Sequence, residues 1–133
     1  MSENSDSKEE LKRADHLIYV TLKYTRTADV IKNIIKRLIS AFDMAVSEAL
    51  EKKGLVPEKI SNLRFKQLES KIPEVKKYSS FYTLLKQIDK AKFTSREEFR
   101  KNVALIIGKR EINVEVIKEY FEKTKEFVSL VSS

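Results

Sequence analysis

Residues 28–53 read ADVIKNIIKRLISAFDMAVSEALEKK, and their pattern decides the fold. Apolar residues fall in pairs at Val30/Ile31, Ile34/Ile35, Leu38/Ile39, Ala41/Phe42, Ala45/Val46 and Ala49/Leu50, with polar residues in every gap. That is the 3.6-residue period of an amphipathic helix. Two apolar residues per turn make a face wider than a coiled-coil seam, so this helix meets more than one neighbour. Both ends are signalled. Thr27 ahead of Ala28 and Asp29 is an N-cap with an acid in the first turn. Lys52 and Lys53 complement the C-terminal dipole, Gly54 suits a left-handed cap, Leu55 supplies the apolar contact that accompanies such a cap, and Pro57 confirms the stop.

Working outward, residues 1–7 read as a disordered tail and residues 8–26 as a first helix, with Leu11, Ala14, Leu17/Ile18, Thr21/Leu22 and Tyr24/Thr25 inward. No Gly or Pro separates it from the organising helix, so one unbroken helix is possible, but Thr25 and Thr27 are weak helix formers and a break or sharp bend is expected near residues 25–27. A short helix over residues 60–71 puts Leu63/Arg64, Leu68 and Ile72 inward and ends at Pro73. A third long helix is predicted over residues 74–93. Its stripe of Tyr78, Phe81 and Tyr82 reads as core, not as a base-stacking platform. Thr94 and Ser95 each open an S/T-x-x-E capping box, with Glu97 and Glu98, so a helix is expected from there to about Ile107 and a loop through Ile112. The run VALIIGKREINV also reads as two short strands around Gly108 and Lys109. A last helix covers residues 114–131, with Asn113 as its N-cap.

The expected fold class is therefore all-α: an antiparallel four-helix bundle with one extra short helix, forming a single domain over residues 8–133. A small β-hairpin near 103–114 is the alternative. The expected core comprises Ile18, Ile31, Ile35, Leu38, Phe42, Leu68, Phe81, Leu85, Ile88, Val103, Ile117, Phe121 and Val128.

Composition narrows the chemistry. The chain has no cysteine and one histidine, His16, so thiolate chemistry is absent and a zinc site would have to lean on carboxylates. No glycine-rich phosphate loop, H-E-x-x-H motif or G-x-S-x-G elbow occurs. No metal or cofactor is expected. No apolar run reaches the ~18 residues that span a bilayer, and the polar start MSENSDSKEE lacks a secretory pattern. The expected location is cytoplasmic, with no membrane partner. Abundant Lys, Glu and Ile give the composition a thermophile-like cast.

The net charge of +7 is unevenly placed: residues 52–110 carry 16 basic and 6 acidic groups, while both flanks are slightly acidic. A basic middle fits either a lysine-rich solvated surface or a phosphate-bearing partner. Residues 86–110, KQIDKAKFTSREEFRKNVALIIGKR, concentrate the charge, with Phe93 and Phe99 interleaved. Lys90, Lys92, Arg96, Arg100 and Lys101 gather about the expected helix start, where free N–H groups favour an anion. On a helix, Arg96 and Arg100 would share one face and grip a phosphate bidentately. The competing reading has Glu97 or Glu98 neutralising them. Asp89 is expected in a solvated pair with Lys92.

Residues 21–50, TLKYTRTADVIKNIIKRLISAFDMAVSEAL, and residues 80–103, SFYTLLKQIDKAKFTSREEFRKNV, resemble the HEPN superfamily of small helical bundles, within it a group of small uncharacterised archaeal proteins. RNA-cleaving members carry an Arg followed, a few residues on, by a His. Here Arg96 matches and Asn102 stands where the His would be. Asparagine is neither acid nor base near neutral pH, so the resemblance implies a non-catalytic member that dimerises or serves a small nucleotidyltransferase. The expected function is a non-enzymatic helical binding or interaction module. Its partner would be RNA or a nucleotide held on the basic surface of residues 64–110, another protein, or a second copy in a homodimer. The alternatives are a HEPN-type metal-independent endoribonuclease and a purely structural dimerisation domain.

Overall fold

The computed structural model describes residues 5–132. Among them are five helices and a small sheet. Helix α1 covers residues 6–24: it is α-helical over Asp6–His16 and Leu22–Tyr24, with a π-helical turn at Leu17–Thr21 between them. Helix α2 is Ala28–Lys52, α3 is Ser61–Lys71, and α4 is Ser79–Lys90, entered through a 3-10 turn at Pro73–Tyr78. Strands β1 (Thr94–Arg96), β2 (Ala104–Ile107) and β3 (Arg110–Asn113) come next, then helix α5, Val114–Ser132.

Helix α2 is the centre, packing against all four other helices and against the sheet. It buries 11 of its 25 residues. Its ends are formed as the sequence requires. The Thr27 hydroxyl accepts the Val30 N–H at 3.3 Å. At the other end Gly54 has φ +78°, and the Leu55 N–H reaches the Leu50 carbonyl at 3.0 Å while the Gly54 N–H reaches Glu51 at 2.9 Å. This double bond pattern closes the orphan carbonyls of the last turn. The bend expected at residues 25–27 is present, with Thr25 out of the helical region; Tyr24 and Thr25, expected inward, are exposed beside it.

Around Phe42 the core is aromatic. Its ring lies 4.3 Å from Phe127, 5.2 Å from Tyr82 and 5.8 Å from Phe81, centroid to centroid. All thirteen expected core residues are buried. In α3, however, the inward residues are Phe65 and Leu68, and Leu63 is exposed. The periodicity of residues 60–71 is weak: Leu68 and Ile72 pack as expected, while Phe65 takes the inward place read for Leu63.

Three further expectations are corrected. Ser5 to Ser7, expected in a tail, begin α1: the Ser5 hydroxyl caps it, and the buried Ser7 gives its Oγ to Glu48 at 2.6 Å. The remaining tail residues, 1–4, lie outside the described residues. The third long helix is shortened by the 3-10 turn after Pro73 and by Ala91, whose backbone is extended. The largest correction concerns residues 94–113, which form a three-stranded antiparallel sheet of order β1-β2-β3 in place of the favoured helix and loop; the alternative hairpin near 103–114 is present as β2–β3, and strand β1 was not expected. The fold is mostly helical, but not all-α. Neither capping box opens a helix: Thr94 pairs with Ile106 and Ser95 with Leu105 along β2. The β-branched and apolar run of β2 is buried between two strands, and that tertiary pairing overrides the local helix signal.

The register sorts the sheet by face. Leu105 and Ile112, directly paired, are fully buried against the core. The opposite face carries Arg96, Ala104 and Asn113 in one row, with Ile106 and Glu111 in the next. That second face looks away from the core, toward the end of α1.

Candidate functional site, a cationic cleft between the first helix and the sheet

A cleft of about 630 Å³ opens where the end of α1, the outer face of the sheet and the start of α5 meet. Its size falls within the usual range for small-molecule sites. Each wall has a local cause.

The first wall is the π-helical turn with the end of α1. The Leu22 N–H bonds to the Leu17 carbonyl, five residues back, which inserts one extra residue into the turn. Ile18 and Leu22 stay buried, while Tyr19 is left 47% exposed at the rim. Lys23 and Arg26 extend the wall.

The second wall is the sheet, presenting Arg96, Glu111 and Asn113. Ala104, paired with both Arg96 and Asn113, is the small residue between them. The third wall is the turn after β1, with Glu97, Lys101 and Asn102. This turn holds two non-glycine residues in the left-handed region, Glu97 at φ 58° and Phe99 at φ 66°. Such positions cost about 1–3 kcal/mol each and persist only when surroundings enforce them. Here the enforcement is visible. The Phe99 N–H donates to the Arg26 carbonyl, and the Glu98 carboxylate accepts the Ala28 N–H at 3.0 Å. The turn is thereby fastened to the α1–α2 connection and supplies an orphan-donor partner at the start of α2.

The fourth wall is the first turn of α5, with Val114, Glu115 and Lys118. Asn113 caps it, accepting the Val116 N–H at 2.9 Å, as its position in the sequence suggested. The Lys118 ammonium stands 5.3 Å from the centre of the Tyr19 ring.

The lining therefore carries five cationic side chains against three carboxylates. Arg96 is ion-paired with Glu111 across the sheet. Among the described residues Lys23, Arg26, Lys101 and Lys118 form no salt bridge. A concave site with surplus positive charge concentrates small anions.

The residues singled out from the sequence part company. Arg96, Lys101 and Asn102 line the cleft. Lys90 lines a different groove, between α3 and α4. Lys92 and Arg100 line neither. Arg96 and Arg100 do not share a helix face, because β1 ends at Arg96; Arg100 instead lies 3.9 Å from Glu97. Asp89 pairs not with Lys92 but with Lys36 of α2 at 3.0 Å. Lys23, Arg26, Glu111 and Lys118 were not identified from the sequence, because no local pattern links residues so far apart. Among the described residues no group of three or more His, Asp or Glu is placed to hold a metal ion, and no helix is long and apolar enough to cross a membrane.

Fold and site together define a mostly helical protein in which a small added sheet forms one wall of a cationic cleft. A family model described as SAICAR synthetase matches residues 19–124. The chain belongs to the SAICAR synthetase family. No curated protein and no solved structure matches it.

This membership overturns the HEPN resemblance with the endoribonuclease and nucleotidyltransferase-partner readings drawn from it, and also the expected non-enzymatic interaction module and its structural dimerisation alternative. The physical reason lies in the backbone. The resemblance rested on a helical layout running through Arg96 to Asn102. That segment is the end of a strand and a strained turn.

Proposed function

We propose that this protein is an enzyme of purine biosynthesis of the SAICAR synthetase kind, and that its anionic nucleotide is held in the cleft between α1, the sheet and α5. One observation carries the reading: every residue lining the cleft except Ile18 falls within the segment matched by the family. The chemistry agrees. SAICAR is an anionic nucleotide, and the cleft offers Lys23, Arg26, Lys101 and Lys118, none of them in a salt bridge among the described residues. Arg96 supplies a planar fork suited to phosphate or carboxylate once it leaves Glu111. Asn102 and Asn113 supply amides, and Tyr19 a ring at the rim. The proposed setting is the cytoplasm, where phosphorylated intermediates are retained by their charge.

Titration calorimetry with SAICAR tests the reading. Saturable binding is expected, weakened about tenfold or more by Arg96→Ala and by Lys118→Ala, in keeping with loss of a charge-assisted contact. Both side chains are on the surface of the site, so both variants should fold. Absence of saturable binding by the wild-type chain at about 1 mM ligand would sink the proposal.

A further inference from the structure

A second concave site lies between α3 and α4, a groove of about 340 Å³. Its lining is unusual in charge. Lys66, Lys86 and Lys90 line it and no carboxylate does. Among the described residues none of these three lysines forms a salt bridge.

The arrangement has a clear origin in the sequence. Ser79, Thr83, Lys86 and Lys90 succeed one another at steps of four, three and four residues, which is one stripe along α4. Asn62 and Lys66, four residues apart, form the facing stripe on α3. Two polar stripes line a groove whose floor is made by the stacked rings of Phe65 and Tyr82, 5.0 Å apart.

Lys86 is the fixed point. Its ammonium lies 4.2 Å from the centre of the Tyr82 ring, donates to Ser61 Oγ at 3.2 Å and donates to the Asn62 side-chain carbonyl. All of these partners are neutral. Burial pushes its pKa down, and Lys90 and Arg64 push the same way, against an upward pull from Asp43. A partly desolvated ammonium whose direct contacts are all neutral has more to gain from an anion than a solvated one. Lys66 and Lys90, both outside the core, flank it on the two helices.

We propose that the α3–α4 groove is a second anion site, built to take a small phosphate-bearing ligand such as pyrophosphate or a phosphate ester. Lys86 is its anchor, Lys66 and Lys90 close on the outer oxygens, and the Ser79 and Thr83 hydroxyls serve as donors. The volume sets the ligand class: the groove is at the lower end for small-molecule sites and admits a compact ligand. The proposal stands independently of the nucleotide reading of the cleft.

Calorimetry on the full chain with inorganic pyrophosphate, and with inorganic phosphate in parallel, provides the test. Saturable pyrophosphate binding is expected, at least tenfold weaker in Lys86→Gln and in the surface double variant Lys66→Gln/Lys90→Gln. Arg96→Ala, which alters only the cleft, should leave it unchanged. Phosphate binding with comparable loss in the same variants would assign the site to a single phosphate group, and tighter pyrophosphate binding to a diphosphate. Two results overturn the proposal: no saturable heat with either probe up to about 10 mM, or binding lost in Arg96→Ala and retained in both groove variants.

Discussion

Arg96 is ion-paired with Glu111, and under the proposed function an incoming anion has to displace that carboxylate. Both side chains are about half exposed, and an exposed pair is worth about 1 kcal/mol or less. Glu111→Gln removes the competitor and leaves the guanidinium in place. It is expected to tighten SAICAR binding severalfold, where Arg96→Ala weakens it; an unchanged or weaker affinity in a calorimetric titration would show that Arg96 does not meet the ligand. Tyr82 makes a different argument, about pH. Burial, and then its hydrogen bond to Asp43, raise its pKa well above 10. Tyr78 is raised as well, by burial and by Glu126. Above pH 10 the unfolded chain loses these phenolic protons while the folded chain keeps them, so stability is fully present below pH 10 and falls as pH rises beyond it. Lys86, lowered by burial, acts in the opposite sense over a range just below 10.5. The two tyrosines should prevail, since the Tyr82 shift is the large one. Urea unfolding at about pH 8 and pH 11 should show a loss of stability that shrinks in Tyr82→Phe. An equal loss in that variant would count against the Tyr82 hydrogen bond as its cause.

At the scale of elements, the β2–β3 hairpin turns on Gly108. Ile107 pairs with Arg110, leaving a two-residue loop of Gly108 and Lys109, and φ is positive only at the first. That is the backbone of a type II′ turn, which wants glycine there. A Cβ at Gly108 would touch nothing within 4 Å, so the cost of Gly108→Ala is conformational alone, about 1 kcal/mol. The expected result is a loss of that size in chemical denaturation, with hydrogen exchange quickening first along β2 and β3. Exchange that quickens uniformly would place the hairpin inside the global folding unit instead. How much of the fold is legible in the sequence depends on range. Helix α2 reads residue by residue, because its period, its Thr27 cap and its Gly54 stop are all local. The hairpin is visible in VALIIGKREINV but competes with the two capping boxes just upstream, and only pairing with β1 decides between them. The π turn at Leu17–Thr21 leaves no mark in the sequence. Buried Glu10 shows the same limit. It looks like one acid in a polar start, yet it binds Arg13 at 2.7 Å and Arg37 at 3.3 Å, the second partner lying on α2. In the cleft, Arg96, Lys101 and Asn102 are picked out by their local sequence, while Lys23, Arg26 and Lys118 arrive only through folding.

At the scale of the whole molecule, α2 supports two sites without lining either. The cleft is assembled from α1, the sheet and α5, the groove from α3 and α4, and each of these helices packs on α2. Phe42 sits where the supports converge, fully buried and in ring contact with residues of both α4 and α5. Truncating such a ring to alanine costs about 3–5 kcal/mol through lost transfer energy and the cavity left behind. Total stabilities of domains are about 5–15 kcal/mol, so this one change removes a large share. Phe42→Ala is therefore expected to lower the denaturation midpoint steeply and to weaken SAICAR binding and pyrophosphate binding together. Phe42→Leu, which keeps most of the volume, should cost less and spare both. The surface variants Arg96→Ala and Lys86→Gln should do the reverse, separating the two ligands with little change in midpoint. If Phe42→Ala left one ligand bound at wild-type affinity while the midpoint collapsed, the two sites would not share a folding unit, and α2 would not be the element that holds them in common.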